Sequence, residues 1–137
     1  MTAHWLLKTE PSTYSFDRLV AEKRAVWDGV RNNLALIHLR AMKPADRVLI
    51  YHSGAEKAVV GTARVSAAAY PDPKGSEPKH VVVDVVPDAK LTVPVPLSTL
   101  KADPALTELP LIRNSRLSVM PVTAEQWKRI LALASRI

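Results

Sequence analysis

Trp27-Asp28-Gly29-Val30-Arg31-Asn32 brings an indole, a carboxylate, a glycine, a guanidinium and a carboxamide into six consecutive positions. A flat heterocycle offers a π-face to the indole and donor and acceptor edges to the polar groups, so the stretch carries the chemistry that grips a nucleobase. A buried tryptophan beside a polar turn uses the same residue types, and the elements on either side give the stretch its setting.

Upstream, Trp5-Leu6-Leu7-Lys8 is a short apolar run that reads as a strand leaving its sheet at Thr9-Glu10-Pro11, where proline lacks a ladder donor. Ser15 is placed to cap a short helix through Leu19 and Val20, with Asp17 near its positive end. Downstream, Asn32 or Asn33 caps a second helix reaching Met42, and Lys43-Pro44 stops it. The period then changes to that of strands, in two β-rich runs, Arg47 to His52 and Ala58 to Val65, joined by a hairpin-like connection. Tyr70 to Lys79 holds three prolines and reads as an exposed loop. Val81 to Val86 is almost continuously apolar, as in a strand covered on both faces. Leu91 to Val95 reads as a separate edge strand, because Pro94 and Pro96 exclude a central ladder position. Ser98-Thr99-Leu100 and Pro104-Ala105-Leu106 start helical turns, and Leu117 to Met120 alternates as the last strand. Thr123 and Gln126 form a capping box before a helix whose Trp127, Ile130, Leu131 and Ala134 make one buried stripe. The sum is an α+β chain, a mixed barrel-like sheet of about five or six strands with peripheral helices.

Composition narrows the function classes. The 137 residues suit one domain, 1–137, and 47% hydrophobic with 23% charged residues is the balance of an ordinary globule. No apolar run approaches the roughly 20 residues a membrane span requires, so no membrane partner is expected. The start of the chain has no charged leader before an apolar stretch, and there are no cysteines for disulfides, thiolate chemistry or iron–sulfur clusters. A cytoplasmic location and a monomer are the expectations. The formal charge of +6 favours approach to a polyanion, although no Lys/Arg block concentrates it.

Catalytic constellations are thin. His4, His38, His52 and His80 are scattered, with no close second ligand, so no metal site is expected. Four glycines, none in a glycine-rich run, give no phosphate loop and no nucleotide cofactor. His52 and Ser53 supply residue types of a triad, but adjacent strand residues point to opposite faces. Lys8, Thr9 and Glu10 place an amine, a hydroxyl and a carboxylate together, as a hydrolase acting on a modified nucleoside would need; a salt-bridged strand end has the same composition. Base binding fits better. Trp5, Trp27, Tyr14, Tyr51 and Tyr70 are five of the chain's seven aromatics, and four of them flank polar strand ends. An aromatic wall rewards both a stacked base and a buried methyl.

Lys8-Thr9-Glu10-Pro11, Trp27-Asp28-Gly29-Val30-Arg31-Asn32, Tyr51-His52-Ser53, Tyr70-Pro71-Asp72, Val83-Asp84-Val85 and Ser115-Arg116-Leu117-Ser118 together resemble, in order and spacing, the motifs of EVE domains. The resemblance implies a PUA-like fold related to the YTH domains that read methylated RNA. It implies no cofactor, and a partner that is DNA or RNA carrying a modified base held in an aromatic-lined pocket. Carried over by position, Trp27 is the expected wall, while Asp28, Val30, Arg31 and Asn32 read the base edge or hold the wall. Lys8, Glu10, Tyr51, Ser53, Arg116 and Ser118 are expected to complete the base-binding set or contact the backbone. Two departures stand out. Asn33, Leu34, Leu36 and Ile37 occupy positions where the family continues with Tyr, Gln and polar residues, and the segment from Tyr70 to Val81 is shorter than usual, with His80 near a common Trp position. A modified-base reader without catalysis is the first expectation; the hydrolase and a peptide-binding interaction domain are the alternatives.

Overall fold

The computed structural model describes residues 2–134; Met1 and residues 135–137 of the expected 1–137 unit lie outside them. In chain order the elements are β1 (His4–Thr9), α1 (Phe16–Glu22), β2 (Ala25–Trp27), α2 (Asn33–Ala41), β3 (Arg47–His52), β4 (Ala58–Pro71) and β5 (Val81–Pro96). They continue with α3 (Leu97–Ala102), a 3-10 turn (Pro104–Leu106), α4 (Pro110–Arg113), β6 (Val119–Val122) and α5 (Ala124–Ala134). The six strands pair in the order β2-β5-β4-β3-β1-β6. Only β1 and β3 run parallel, with Leu6 opposite Leu49 and Leu7 opposite Ile50; the other pairs are antiparallel.

The apolar runs explain this order. Trp5, Leu6 and Leu7 of β1 and Val48 to Tyr51 of β3 are all buried, so both strands have covered faces and sit inside the sheet. Phe16 enters the core from the start of α1 against Gly61 of β4, where an added Cβ would fall 2.5 Å from its ring. Ser15 caps α1 by accepting the Arg18 amide at 3.1 Å, and Asn32 caps α2 by accepting the Ala35 amide at 3.0 Å. The capping box before α5 forms in both directions, Thr123 N to Gln126 Oε1 at 2.9 Å and Gln126 N to Thr123 Oγ1 at 3.1 Å. Its buried stripe is Trp127, Ile130, Leu133 and Ala134, with Leu131 only partly covered.

Several expectations are corrected. The sheet does not close into a barrel. Closure would require its edge strands to pair, but β2 has three residues and β6 has four, one of them the donorless Pro121. Val81–Pro96 is one continuous strand, not two. Its Pro94 and Pro96 are tolerated because β2 covers only Val83 to Val85, which leaves the distal half of β5 without a second neighbour in the sheet. β4 runs on to Pro71, so Tyr70 and Pro71 belong to the strand and not to the loop, and β6 begins two residues later than the alternation suggests. Trp5 is core: its Nε1 donates to the buried Asp46 at 2.9 Å, and Asp46 also accepts the amides of Ala3 and Lys43.

Candidate nucleic-acid interface

Where β1 ends, the chain turns through Glu10 to Tyr14 into α1, and the end of α1 leads into β2 and on to Arg31. These segments enclose an open cavity of about 630 Å³, within the several hundred cubic ångströms typical of small-molecule sites. Lys8, Thr9 and Glu10 form one side, Thr13, Tyr14, Arg18 and Glu22 a second, and Arg24 through Arg31 a third, with Ser118 at the edge. Four cations and three carboxylates line it.

Seven of the eleven anticipated positions meet here: Lys8, Glu10, Trp27, Asp28, Val30, Arg31 and Ser118. The other four lie outside the lining. Asn32 turns its carboxamide to cap α2. Tyr51 is buried in β3, with Lys8 Nζ 5.9 Å from its ring centroid, and burial pushes its phenol up. Ser53 follows β3 and donates its backbone N–H to the Thr9 carbonyl at 2.9 Å. Arg116 is exposed, but its segment is docked by main chain: Lys8 Nζ donates to the Ser115 carbonyl at 2.8 Å, and Lys8 N to that of Ser118 at 2.9 Å. Lys8 is therefore bonded to this segment instead of forming a salt bridge with Glu10, and partial burial lowers its pKa.

Trp27 is 8% exposed and belongs to the apolar core as well as the cavity wall. Tyr14 meets it edge to face, with ring centroids 6.0 Å apart. The Tyr14 hydroxyl donates to Glu22 Oε1 at 2.7 Å, and Arg18 both pairs with Glu22 and lies 5.1 Å from the Tyr14 ring centroid. Burial, then the bond to Glu22, pushes the Tyr14 phenol up to about 12, while the same bond holds the Glu22 carboxyl below its usual range. In the sequence Tyr14 stands beside a strand end with no assigned role, and Thr13, Arg18, Glu22 and Arg24 are not among the anticipated positions. The signal present is the i,i+4 pair Arg18–Glu22 on one face of α1.

The remaining motif residues hold the frame. His52 Nε2 accepts the Phe16 amide at 3.0 Å, so the ring proton sits on Nδ1, 2.7 Å from Glu56 Oε1. Neither nitrogen is left for Ser53. Tyr70 donates to Asp84 Oδ1 at 2.6 Å, a bond that joins β4 to β5 and raises the phenol pKa. Among the described residues no group of three or more His, Asp or Glu side chains is placed to hold a metal ion.

Residues 3–133 match the model of the EVE domain. Thymocyte nuclear protein 1 of Mus musculus is 32% identical over 167 residues, covering 97% of this chain and 74% of that protein. Rpa0253 from Rhodopseudomonas palustris, solved by NMR, superposes with a TM-score of 0.92 at 44% identity, covering 97% of this chain and 93% of its own. The human THYN1 protein, crystallised in complex with 5-methylcytosine containing DNA, superposes with a TM-score of 0.91 at 29% identity and 99% coverage of both chains. The PUA-like α+β fold is thus shared throughout, with an open sheet in this chain. The motifs, the topology and matches that span nearly all of this chain agree, and this chain belongs to the EVE domain family.

Proposed function

We propose that this chain binds a modified base of DNA, swung out of its helix, in the cavity bordered by Trp27 and Tyr14. The observation that carries the reading is that the Trp27–Arg31 segment walls a cavity of about 630 Å³ in which an indole, a phenol and four cations converge. A base entering it would stack on an aromatic ring, a contact worth about 1–3 kcal/mol, while the Asp28 carboxylate and the main chain of the segment test its edge. The EVE relative crystallised with 5-methylcytosine containing DNA supports DNA as the nucleic acid and a methylated pyrimidine as the base.

A methyl group contributes about 0.8 kcal/mol when fully buried. Preference for a modified base over its parent should then be a few-fold, rising above about tenfold only where the parent leaves a trapped water or an unpaired polar group. Fluorescence anisotropy with DNA and RNA oligonucleotides carrying 5-methylcytosine, 5-hydroxymethylcytosine or methylated adenine, each beside its unmodified twin, measures this. Equal affinity across every pair would sink the reading. Lys8, Thr9 and Glu10 line the same cavity, which favours a nucleoside hydrolase as the second reading. Against it, Thr9 Oγ1 donates to the Tyr14 carbonyl at 2.7 Å and Lys8 is bonded to Ser115, so the hydroxyl and the amine are both engaged. Turnover in a panel of modified nucleosides would reverse the order of the two. A peptide ligand would instead fail to be displaced by free modified nucleosides.

A further inference from the structure

Arg31 stands half-exposed at the cavity and is held from one side. Its Nη1 donates to the Val30 carbonyl at 3.0 Å and to Asp72 Oδ2 at 3.4 Å. The Asp72 side chain is 1% exposed, and its other oxygen accepts the Lys74 amide at 2.8 Å. Its backbone N–H donates to the His80 carbonyl at 3.0 Å, and its own carbonyl accepts the Gly75 amide at 2.9 Å. A Cβ on Gly75 would fall 2.7 Å from His80 Cβ, so the loop closes this tightly only with glycine there. The turn between β4 and β5 thus builds in a buried carboxylate that meets one nitrogen of one arginine. Among the described residues, the hydrogen bonds of Arg31 use Nη1 alone, which leaves the donors of Nη2 and Nε for a ligand.

On the footing of the base-binding reading, we infer that Arg31 clamps a phosphodiester flanking the extruded base and that Asp72 is the positioning residue that fixes its fork. A planar guanidinium presents two N–H groups to two phosphate oxygens at once, a geometry an ammonium cannot reproduce. Fixing the plane beforehand removes ordering cost from the binding step. Asp72 carries negative charge beside a bound polyanion, and charge alone would make it oppose binding. It aids binding only through Arg31, and this sets the sign of the test.

The experiment measures anisotropy of a duplex with one 5-methylcytosine and of its unmodified twin at several salt concentrations. Free 5-methyl-2′-deoxycytidine, which has no phosphate, is titrated by NMR. Asp72→Asn should weaken duplex binding by about tenfold despite removing a negative charge. Arg31→Lys should lose a similar factor with its charge intact, and Arg31→Gln should also flatten the log-affinity against log-salt slope by about 1. All three variants should keep the parent's preference for the methylated twin and its response to the nucleoside. Unchanged or tighter duplex binding by Asp72→Asn overturns the proposal, as does loss of the methyl preference or of nucleoside binding in the Arg31 variants. If melting curves show that Asp72→Asn does not fold, the half-exposed Arg31→Lys decides by itself, and unchanged affinity there overturns the clamp. Failure of the parent protein to bind any oligonucleotide overturns the underlying reading, and the clamp with it, before a variant is made.

Discussion

Trp27 carries two duties that pull on the same side chain. Its indole faces the cavity yet is 8% exposed and packed in the core, with its backbone paired to Val83 of β5. In the sequence a tryptophan beside a polar run reads equally as a stacking wall or as a core residue, because the three-residue strand that buries it has too little pattern to decide. Trp27→Ala should therefore cost about 3–5 kcal/mol of stability in addition to any loss of binding, which makes it a poor probe of stacking. Trp27→Phe keeps an aromatic plane and part of the packing, and should weaken binding of a 5-methylcytosine oligonucleotide several-fold while the protein stays folded. Urea melts beside anisotropy titrations measure the two effects separately. A fully folded Trp27→Phe with parental affinity would move the stacking surface to Tyr14, which meets the cavity on the other side of the same ring pair.

Helix α2 shows how a motif residue can matter through the element it begins. Asn32 stands last in the Trp27–Asn32 stretch, and its Oδ1 accepts the Ala35 amide, satisfying a donor that would otherwise be orphaned at the helix start. Asn32→Ala should destabilise the protein by about 1 kcal/mol, with Asn32→Ser recovering most of it, and both should bind the modified oligonucleotide nearly as the parent does. Chemical denaturation of the three proteins measures the first, and a large affinity loss in Asn32→Ser at full stability would return Asn32 to the base edge. Caps of this kind are well written in the sequence: Ser15, Asn32 and the Thr123–Gln126 box all form where their residue types place them. Tertiary partners are not. Nothing local tells that Ser115 and Ser118 matter through carbonyls taken by Lys8, that Glu10 lies where a Cβ on Gly54 would fall 2.2 Å from Oε2, or that Arg24 reaches the cavity. Val81–Val86 and Leu91–Val95 are both strand, but the expected break between them fails for the same reason, since proline excludes a position only when a second neighbour needs its donor, and β2 stops short of Pro94.

At the scale of the molecule the question is how much of the +6 charge reaches a nucleic acid. Much of the basic surface is already matched: Arg18 pairs with Glu22, Arg64 with Asp88, Lys90 with Asp17, Arg113 with Glu108 and Arg129 with Asp103. Apart from Arg129–Asp103, whose carboxylate is buried, such exposed or half-exposed pairs add little stability, but all of them lower the positive field that a passing phosphate meets. What remains concentrated is the cavity, where among the described residues Lys8 and Arg24 form no ion pair and Arg31, paired with Asp72 through Nη1, keeps its other donors. Binding should accordingly use few phosphates, and log affinity for a 5-methylcytosine duplex should fall with log salt at a slope between about −1 and −4. Titration across a range of monovalent salt reads the slope directly. A flat response would remove the backbone from the interaction and favour a free nucleoside or a peptide. A slope much steeper than about −4 would require more phosphate contacts than the cavity supplies, and would enlist the paired arginines of the outer surface by breaking their ion pairs.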